Sequence, residues 1–106
     1  MKDDTLYTIH IRECIDRIQS YVAKIDQDQF MASSLIQDAV LRNLQVLAES
    51  TQRLSDEFKA RHAEIEWHKI AGLRNILVHD YLGIDIEAVW IIISEELSKL
   101  ESVVKE

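Results

Sequence analysis

The stretch DIEAVWIIISEELSKL, residues 85–100, decides the fold class of this 106-residue chain. Its run AVWIII is apolar enough for a buried strand, but apolar residues continue past that run at spacings of three and four, the period of a helix. Asp85 is a favourable N-cap residue, and Glu87 places a carboxylate in the first turn. The pattern therefore predicts a helix that begins after Asp85. Its buried stripe is Ile86, Val89, Trp90, Ile93, Leu97, Leu100 and Val104.

The rest of the chain is typical of an all-α protein, because it has no proline and only two glycines to interrupt helices. A first helix is predicted from about Asp4 to about Ile25, since apolar residues recur there at spacings of four and three. Its seam consists of Ile11, Ile15, Ile18, Val22 and Ile25. The polar residues 26–29, DQDQ, break the pattern and predict the end of this helix.

Two further helices follow from the pattern. Ser34 and Gln37 resemble a capping box, which predicts a helix from Ser34 to near residues 55–58. A charged linker, KARHAE at 59–64, precedes a third apolar face at helical spacing over residues 67–77. Four helices with short connections predict an antiparallel four-helix bundle, with residues 1–106 as a single domain.

Helix four carries Ile91 and Ile92 outside its buried stripe, which is more apolar surface than one face of a bundle buries. This surplus suggests a homodimer interface. The alternative is that these are ordinary exposed apolar residues.

Charge and cysteine content limit the class of function. The single cysteine, Cys14, cannot form an intramolecular disulfide, and no apolar run approaches the ~20 residues of a membrane span. No basic N-terminal segment precedes a long apolar run, so we expect a soluble cytoplasmic protein.

The net charge of −7 argues against a general nucleic-acid-binding surface. Residues 53–79 nevertheless carry five Lys/Arg against four Asp/Glu, so we expect any anionic ligand to bind there.

The chain concentrates its chemically useful side chains in RNILVHDY, residues 74–81. Arg74 offers a forked cation for a phosphate, and His79 offers a proton acceptor and donor near neutral pH. On a helix Asn75 and His79 share a face, whereas Arg74 is about 140° from His79. One ligand reaches both only if the chain unwinds near His79 or the Arg74 side chain bends across.

These groups suit cleavage of RNA by its own 2′-OH, which needs a base, an acid and a cation but no metal. A symmetric dimer would place two copies of the motif across one cleft. From the residues alone, a surface arginine and a helix-end histidine remain the alternative.

At these residues the sequence resembles the HEPN domains, and within them the HepT-like toxins of nucleotidyltransferase toxin–antitoxin pairs. The family signature is Arg, a polar residue, a spacer, His, one residue and Tyr, which here is Arg74, Asn75, His79 and Tyr81. Further similarity lies in residues 7–18, Phe30, residues 39–50, Trp67 and residues 83–90. The proline that often precedes the tryptophan in the family is absent.

The resemblance implies a dimerising helical bundle with metal-independent, cofactor-free endoribonuclease activity. His79 would then be the general base or acid, Arg74 would hold the scissile phosphate, and Asn75 would orient either of them. Tyr81 resembles the tyrosine that an MNT-type antitoxin nucleotidyltransferase modifies with AMP to silence such toxins; the alternative is an amphipathic residue at a helix end. Because some HEPN proteins are binding subunits, a catalytically silent subunit that pairs with a nucleotidyltransferase is the alternative function.

Two other groups have weaker patterns. His62, Glu64, Glu66 and His68 match no established metal-ligand spacing, so we expect no metal there. Arg42 and Glu49, seven residues apart on helix two, are candidates for supporting residues because in the family that face can border the motif. Their alternative is a solvated ion pair.

Overall fold

The computed structural model describes residues 4–79 and 85–105, with side chains at 4–73 and 85–105. All regular structure in these ranges is helical, which confirms the predicted all-α class. The helices are α1 Asp4–Val22, α2 Gln27–Ala32, α3 Ser34–Gln52, α4 Asp56–Arg61, α5 Trp67–His79, α6 Ile86–Ile91 and α7 Leu97–Val104, and a π-helical segment, Ile92–Glu96, joins α6 to α7. The four predicted helices correspond to α1, α3, α5 and the run from α6 to α7. None of the described helices is long and apolar enough to cross a membrane.

Helix α1 packs against both α3 and α7. Three isoleucines of its predicted seam, Ile11, Ile15 and Ile18, are completely buried. The helix ends at Val22 rather than at Ile25, although Ile25 still packs against the core. The apolar seam predicted for the first helix therefore continues to Ile25, which lies beyond the end of α1.

The polar residues after α1 start a short helix as well as ending the long one. The Asp26 carboxylate accepts a hydrogen bond from the Gln29 amide at 2.9 Å, and the Gln29 side-chain oxygen accepts one from the Asp26 amide at 3.0 Å. This reciprocal capping box begins α2. As a result, Phe30 is fully buried, with its ring centre 5.1 Å from that of Trp90.

The capping box predicted at Ser34 and Gln37 is wrong by one residue. Ser33 is the N-cap of α3, and its hydroxyl accepts a hydrogen bond from the Ile36 amide at 3.2 Å. The Gln37 amide nitrogen instead donates to the Phe30 and Met31 carbonyls, at 2.9 and 3.1 Å. It thus caps the end of α2 and fixes α3 against it.

The predicted linker at 59–64 is in part helix α4, and α3 ends at Gln52, before the predicted end at 55–58. Ser55 explains both differences, since its hydroxyl accepts a hydrogen bond from the Phe58 amide at 3.1 Å and caps α4. The Asp4 carboxylate in turn accepts hydrogen bonds from the Ser55 amide at 2.8 Å and from its hydroxyl at 2.6 Å. This contact ties the start of α1 to the start of α4.

The stretch that decides the fold is a helix, as predicted, and Asp85 is its N-cap. The Asp85 side chain accepts a hydrogen bond from the Ala88 amide at 3.2 Å. The π-helical segment between α6 and α7 was not predicted; it widens one turn without breaking the helix, since its flanking residues keep right-handed helical angles. The buried residues of this run are Val89, Ile93, Leu97, Leu100, Val103 and Val104.

Candidate active site

Helix α5 carries the predicted site, and its first residue anchors it. Trp67 donates a hydrogen bond from its indole nitrogen to the Lys59 carbonyl at 3.2 Å and to the His62 carbonyl at 3.1 Å. Its ring lies 6.2 Å from that of Phe58, in an edge-on arrangement. The Lys59 and His62 carbonyls also accept the backbone amides of His62 and Ile65, so the indole adds a second hydrogen bond to each at the end of α4. Trp67 therefore fixes where α5 begins.

The position of α5 in the bundle follows from its contact with α3. Ile70 and Leu73 are partly buried and pack against the core. One of the pockets in the described part of the chain, with a volume of about 90 Å³, opens on this side of α5. Its apolar wall consists of Leu44, Leu47, Ile65, Ile70, Leu73, Ile92, Leu97 and Leu100. Ion pairs between Lys69 and Glu66 at 3.1 Å and between Lys99 and Glu96 at 3.8 Å border it.

The motif lies in the last turns of α5. Arg74, Asn75 and His79 are all in the helix, whose backbone is helical through His79. The chain therefore does not unwind between Arg74 and His79. Their side chains, and the whole of Tyr81, lie outside the described residues, so the predicted roles of these four remain predictions.

The helical register relates the motif to described residues. At about 100° per residue, positions 75 and 79 share a face with His68 and Gly72, at spacings of three and four. Ile70 is about 180° from position 79, so this face is opposite the core and the apolar pocket. His68 and Gly72 are both exposed, and a Cβ added at Gly72 would meet nothing within 4 Å. Positions 75 and 79 thus continue the helix face on which His68 and Gly72 are exposed.

The sequence prediction did not include Gly72 or His68 among the residues of the site. The sequence contains the necessary information, because Gly72, Asn75 and His79 are three and four residues apart, which is the spacing of one helix face. His68 had been weighed only as a metal ligand. We call the face formed by His68, Gly72 and positions 75 and 79 the motif face.

The predicted supporting residues lie on α3, the helix that packs against α5. Arg42 is exposed, and Glu49 forms an ion pair with Arg53 at 3.9 Å. Their supporting role remains a prediction.

The histidine and glutamate side chains around the start of α5 take part in separate contacts. His62 lies 3.9 Å from Glu64 and stacks on Phe58 at 4.8 Å, whereas Glu66 pairs with Lys69. Among the described residues, no three His, Cys, Asp or Glu side chains converge enough to hold a metal ion.

The described residues form an all-α bundle, and Arg74, Asn75 and His79 lie in the last turns of α5. Residues 11–106 match the family model described as Ribonuclease HepT-like. The chain belongs to this family.

Similar proteins agree with this assignment. A protein of Caldanaerobacter subterraneus subsp. tengcongensis, described as a candidate RNase, is 31% identical over 106 residues, covering 100% of this chain and 95% of that protein. A Methanocaldococcus jannaschii protein, described as a gamma-glutamylcyclotransferase and candidate RNase, is 33% identical over 94% of this chain, which spans only 45% of that relative. Among solved structures, the tri-AMPylated HEPN toxin of Shewanella oneidensis in complex with MNT antitoxin superimposes with a TM-score of 0.72. It is 28% identical, and the match covers 99% of this chain and 96% of that one.

Proposed function

We propose that this chain is a metal-independent endoribonuclease, the toxin of a toxin–antitoxin pair. The observation that supports the proposal most directly is the presence of Arg74, Asn75 and His79 in the last turns of α5 in a HepT-like chain. The motif face is open at Gly72, where an added Cβ would meet nothing within 4 Å, and this also supports the proposal.

The reaction we propose is transesterification within the RNA. His79 removes the proton from a ribose 2′-OH, whose oxygen attacks the adjacent phosphorus. The bond from phosphorus to the 5′-oxygen breaks, a proton returns to that oxygen, and a 2′,3′-cyclic phosphate remains. Arg74 stabilises the charge on the non-bridging oxygens, and Asn75 orients His79 or the phosphate.

We further propose that two copies of the chain form a symmetric dimer in which both motifs border one cleft. Positions 74 and 79 are about 140° apart on a helix that stays wound. A phosphate between two copies would meet Arg74 of one and His79 of the other without distortion of α5. Light scattering of the purified chain tests the dimer, which doubles the mass of the 12.3 kDa chain.

The partner we propose is a nucleotidyltransferase antitoxin that attaches AMP to Tyr81. The Shewanella toxin, which carries three AMP groups in complex with MNT antitoxin, supports this part of the proposal. AMP groups two residues from His79 would add negative charge and bulk where RNA must bind. Modified protein is therefore expected to be inactive.

The test of the nuclease is cleavage of end-labelled RNA by unmodified protein in EDTA, with analysis of the product ends. The proposal predicts fragments that end in 2′,3′-cyclic phosphate. Absence of cleavage by a protein whose intact mass shows no nucleotide would contradict it.

The acidity of the chain supports a second function. At a net charge of −7 the chain repels polynucleotides, and a catalytically silent subunit that binds a nucleotidyltransferase fits this charge. That function predicts a stable complex with the partner and no RNA cleavage by either free or bound chain.

A further inference from the structure

Three large apolar side chains on neighbouring helices are exposed in the described part of the chain. Met31 of α2, Leu35 of α3 and Ile91 of α6 are 43%, 80% and 48% exposed. Helix α2 contacts both α3 and α6. We call the outer surface of α2, the first turn of α3 and α6 the acidic–apolar face.

The elements of this surface are closely packed. Phe30 and Trp90 place their ring centres 5.1 Å apart, which joins α2 to α6 next to Met31 and Ile91. The Gln37 amide donates to the Met31 carbonyl at 3.1 Å and joins α3 to α2. The apolar side chains are therefore presented by a rigid support, which reduces the entropy that binding would lose.

Each of these apolar side chains has a carboxylate as a neighbour on its own helix. Asp28 is three residues before Met31 in α2, Asp38 is three after Leu35 in α3, and Glu87 is four before Ile91 in α6; in each case the two residues are neighbours on the helix surface. No Lys or Arg occurs from residue 25 to 41 or from 75 to 98. The acidic groups of the described residues in these stretches are Asp26, Asp28, Asp38, Asp85, Glu87, Glu95 and Glu96.

This charge pattern selects among the partners that could cover the face. RNA is excluded because its phosphates would meet carboxylates. A second copy is disfavoured, since a two-fold contact would bring one set of carboxylates against the same set. A protein surface that combines Lys or Arg with apolar side chains complements both the charge and the apolar residues.

The position of the face in the chain indicates which protein this is. Asp85, the cap of α6, follows Tyr81 by four residues, so their Cα atoms are at most about 14 Å apart whatever the path between them. A protein bound to α6 is therefore within a short distance of position 81 along the chain.

We propose that the acidic–apolar face binds the antitoxin nucleotidyltransferase, through a basic and apolar surface of that protein, and positions it to modify Tyr81. This inference rests on the proposed function. It assigns Ile91, which the sequence suggested for a homodimer interface, to a different partner, and a homodimer would then use another surface of the chain.

The test measures binding of an MNT-type nucleotidyltransferase, and transfer of AMP to Tyr81 from ATP and Mg²⁺, detected by intact mass. Leu35→Ser and Ile91→Ser are the test variants. Ile9→Ser is the matched control, because Ile9 is a 36% exposed aliphatic residue of α1 whose helix neighbours Arg12 and Glu13 have opposite charges. Circular dichroism confirms that each variant is folded.

The expected result is that each test variant weakens binding by about tenfold and slows AMP transfer accordingly, while Ile9→Ser resembles the wild type. Binding by the wild type should also weaken as salt rises.

Test variants that bind as tightly as Ile9→Ser would overturn the inference and leave the proposed function intact. Test variants that convert a dimer of the chain alone to a monomer would overturn it in favour of a second copy. If the wild type neither binds nor is modified, the antitoxin part of the proposed function fails and the inference with it.

Discussion

The indole nitrogen of Trp67 donates a hydrogen bond to the His62 carbonyl at 3.1 Å, which joins the first residue of α5 to the end of α4. The same N–H also approaches the Lys59 carbonyl at 3.2 Å. The helix that carries Arg74, Asn75 and His79 therefore starts from a fixed point. Both carbonyls also accept a backbone amide, so this one donor adds a second hydrogen bond to each.

Replacement of Trp67 by Phe tests this anchor, because Trp67→Phe keeps a ring against Phe58 but removes the donor. We expect the free energy of unfolding to fall by about 1–2 kcal/mol, since one hydrogen bond contributes about 1 kcal/mol and two carbonyls lose a partner. Urea unfolding measures the change. Tyr21→Phe, on an aromatic residue that is 37% exposed, is the control and should change stability by less than about 0.5 kcal/mol. Equal stability of Trp67→Phe and wild type would show that the anchor is unimportant.

The contact between Asp4 and Ser55 predicts a second stability effect. Ser55→Ala removes the cap of α4 and a hydroxyl that donates to the Asp4 carboxylate at 2.6 Å. We expect a loss of about 2 kcal/mol, of which the cap contributes about 1 kcal/mol. A double-mutant cycle with Asp4→Ala should show coupling above about 0.5 kcal/mol.

The control for this prediction is Ser20→Ala. The Ser20 hydroxyl donates to the Arg17 carbonyl of its own helix at 2.7 Å and joins no second element. Strictly additive effects of Asp4→Ala and Ser55→Ala would contradict the proposed tie between α1 and α4.

The sequence predicted the long helices because their apolar periodicity coincides with their burial. Ile11, Ile15 and Ile18 follow the predicted seam and are fully buried, and Asp85 caps α6 as expected. Here local preference and tertiary packing agree, so the pattern of apolar residues was sufficient.

The connections were predicted less well because they depend on contacts that are distant in the sequence. Ser55 caps α4 while bonded to Asp4, and Phe58 is buried beside Trp67, so the supposed linker is held as a helix by other elements. Gln37 fits a capping box with Ser34, but its amide reaches the end of α2 instead. Tertiary packing, rather than local sequence, decides which of two possible hydrogen-bond partners such a side chain binds.

At the candidate site, sequence identified the residue types and the shared face of Asn75 and His79. It did not select between an unwound helix end and a bent arginine, and the structure shows that α5 stays helical through His79. It also missed Gly72 as a residue of the motif face, because glycine has no functional group that identifies it as a site residue.

Gly72 gives a prediction that separates stability from function. Gly72→Ala should raise the free energy of unfolding by about 0.5–1 kcal/mol, because glycine is unfavourable within a helix and the new Cβ meets nothing within 4 Å. We expect RNA cleavage to become slower, because the methyl group occupies space beside Asn75 and His79. Ser98→Ala, at an exposed position of α7, is the control that leaves the motif face unchanged. Wild-type cleavage by Gly72→Ala would show that the open space is not used by RNA.

Cys14 gives a prediction for pH dependence. Burial raises the pKa of the Cys14 thiol, and Arg17 opposes this only in part. The thiol should therefore react with iodoacetamide far more slowly in the native protein than in urea at the same pH. Because the unfolded thiol loses its proton at lower pH than the folded one, this group reduces stability as pH rises above the unfolded pKa. Equal labelling rates in native buffer and urea would contradict this account.

The most direct test of the central claim compares two histidines of α5 in one assay. Labelled RNA is incubated in EDTA with wild type, His79→Ala and His68→Ala, each folded by circular dichroism and free of nucleotide at Tyr81 by intact mass. The account predicts cleavage by wild type and by His68→Ala, and a loss of at least about 100-fold for His79→Ala, which removes a general acid–base group. Equal cleavage by wild type and His79→Ala would contradict the claim that His79 performs the reaction.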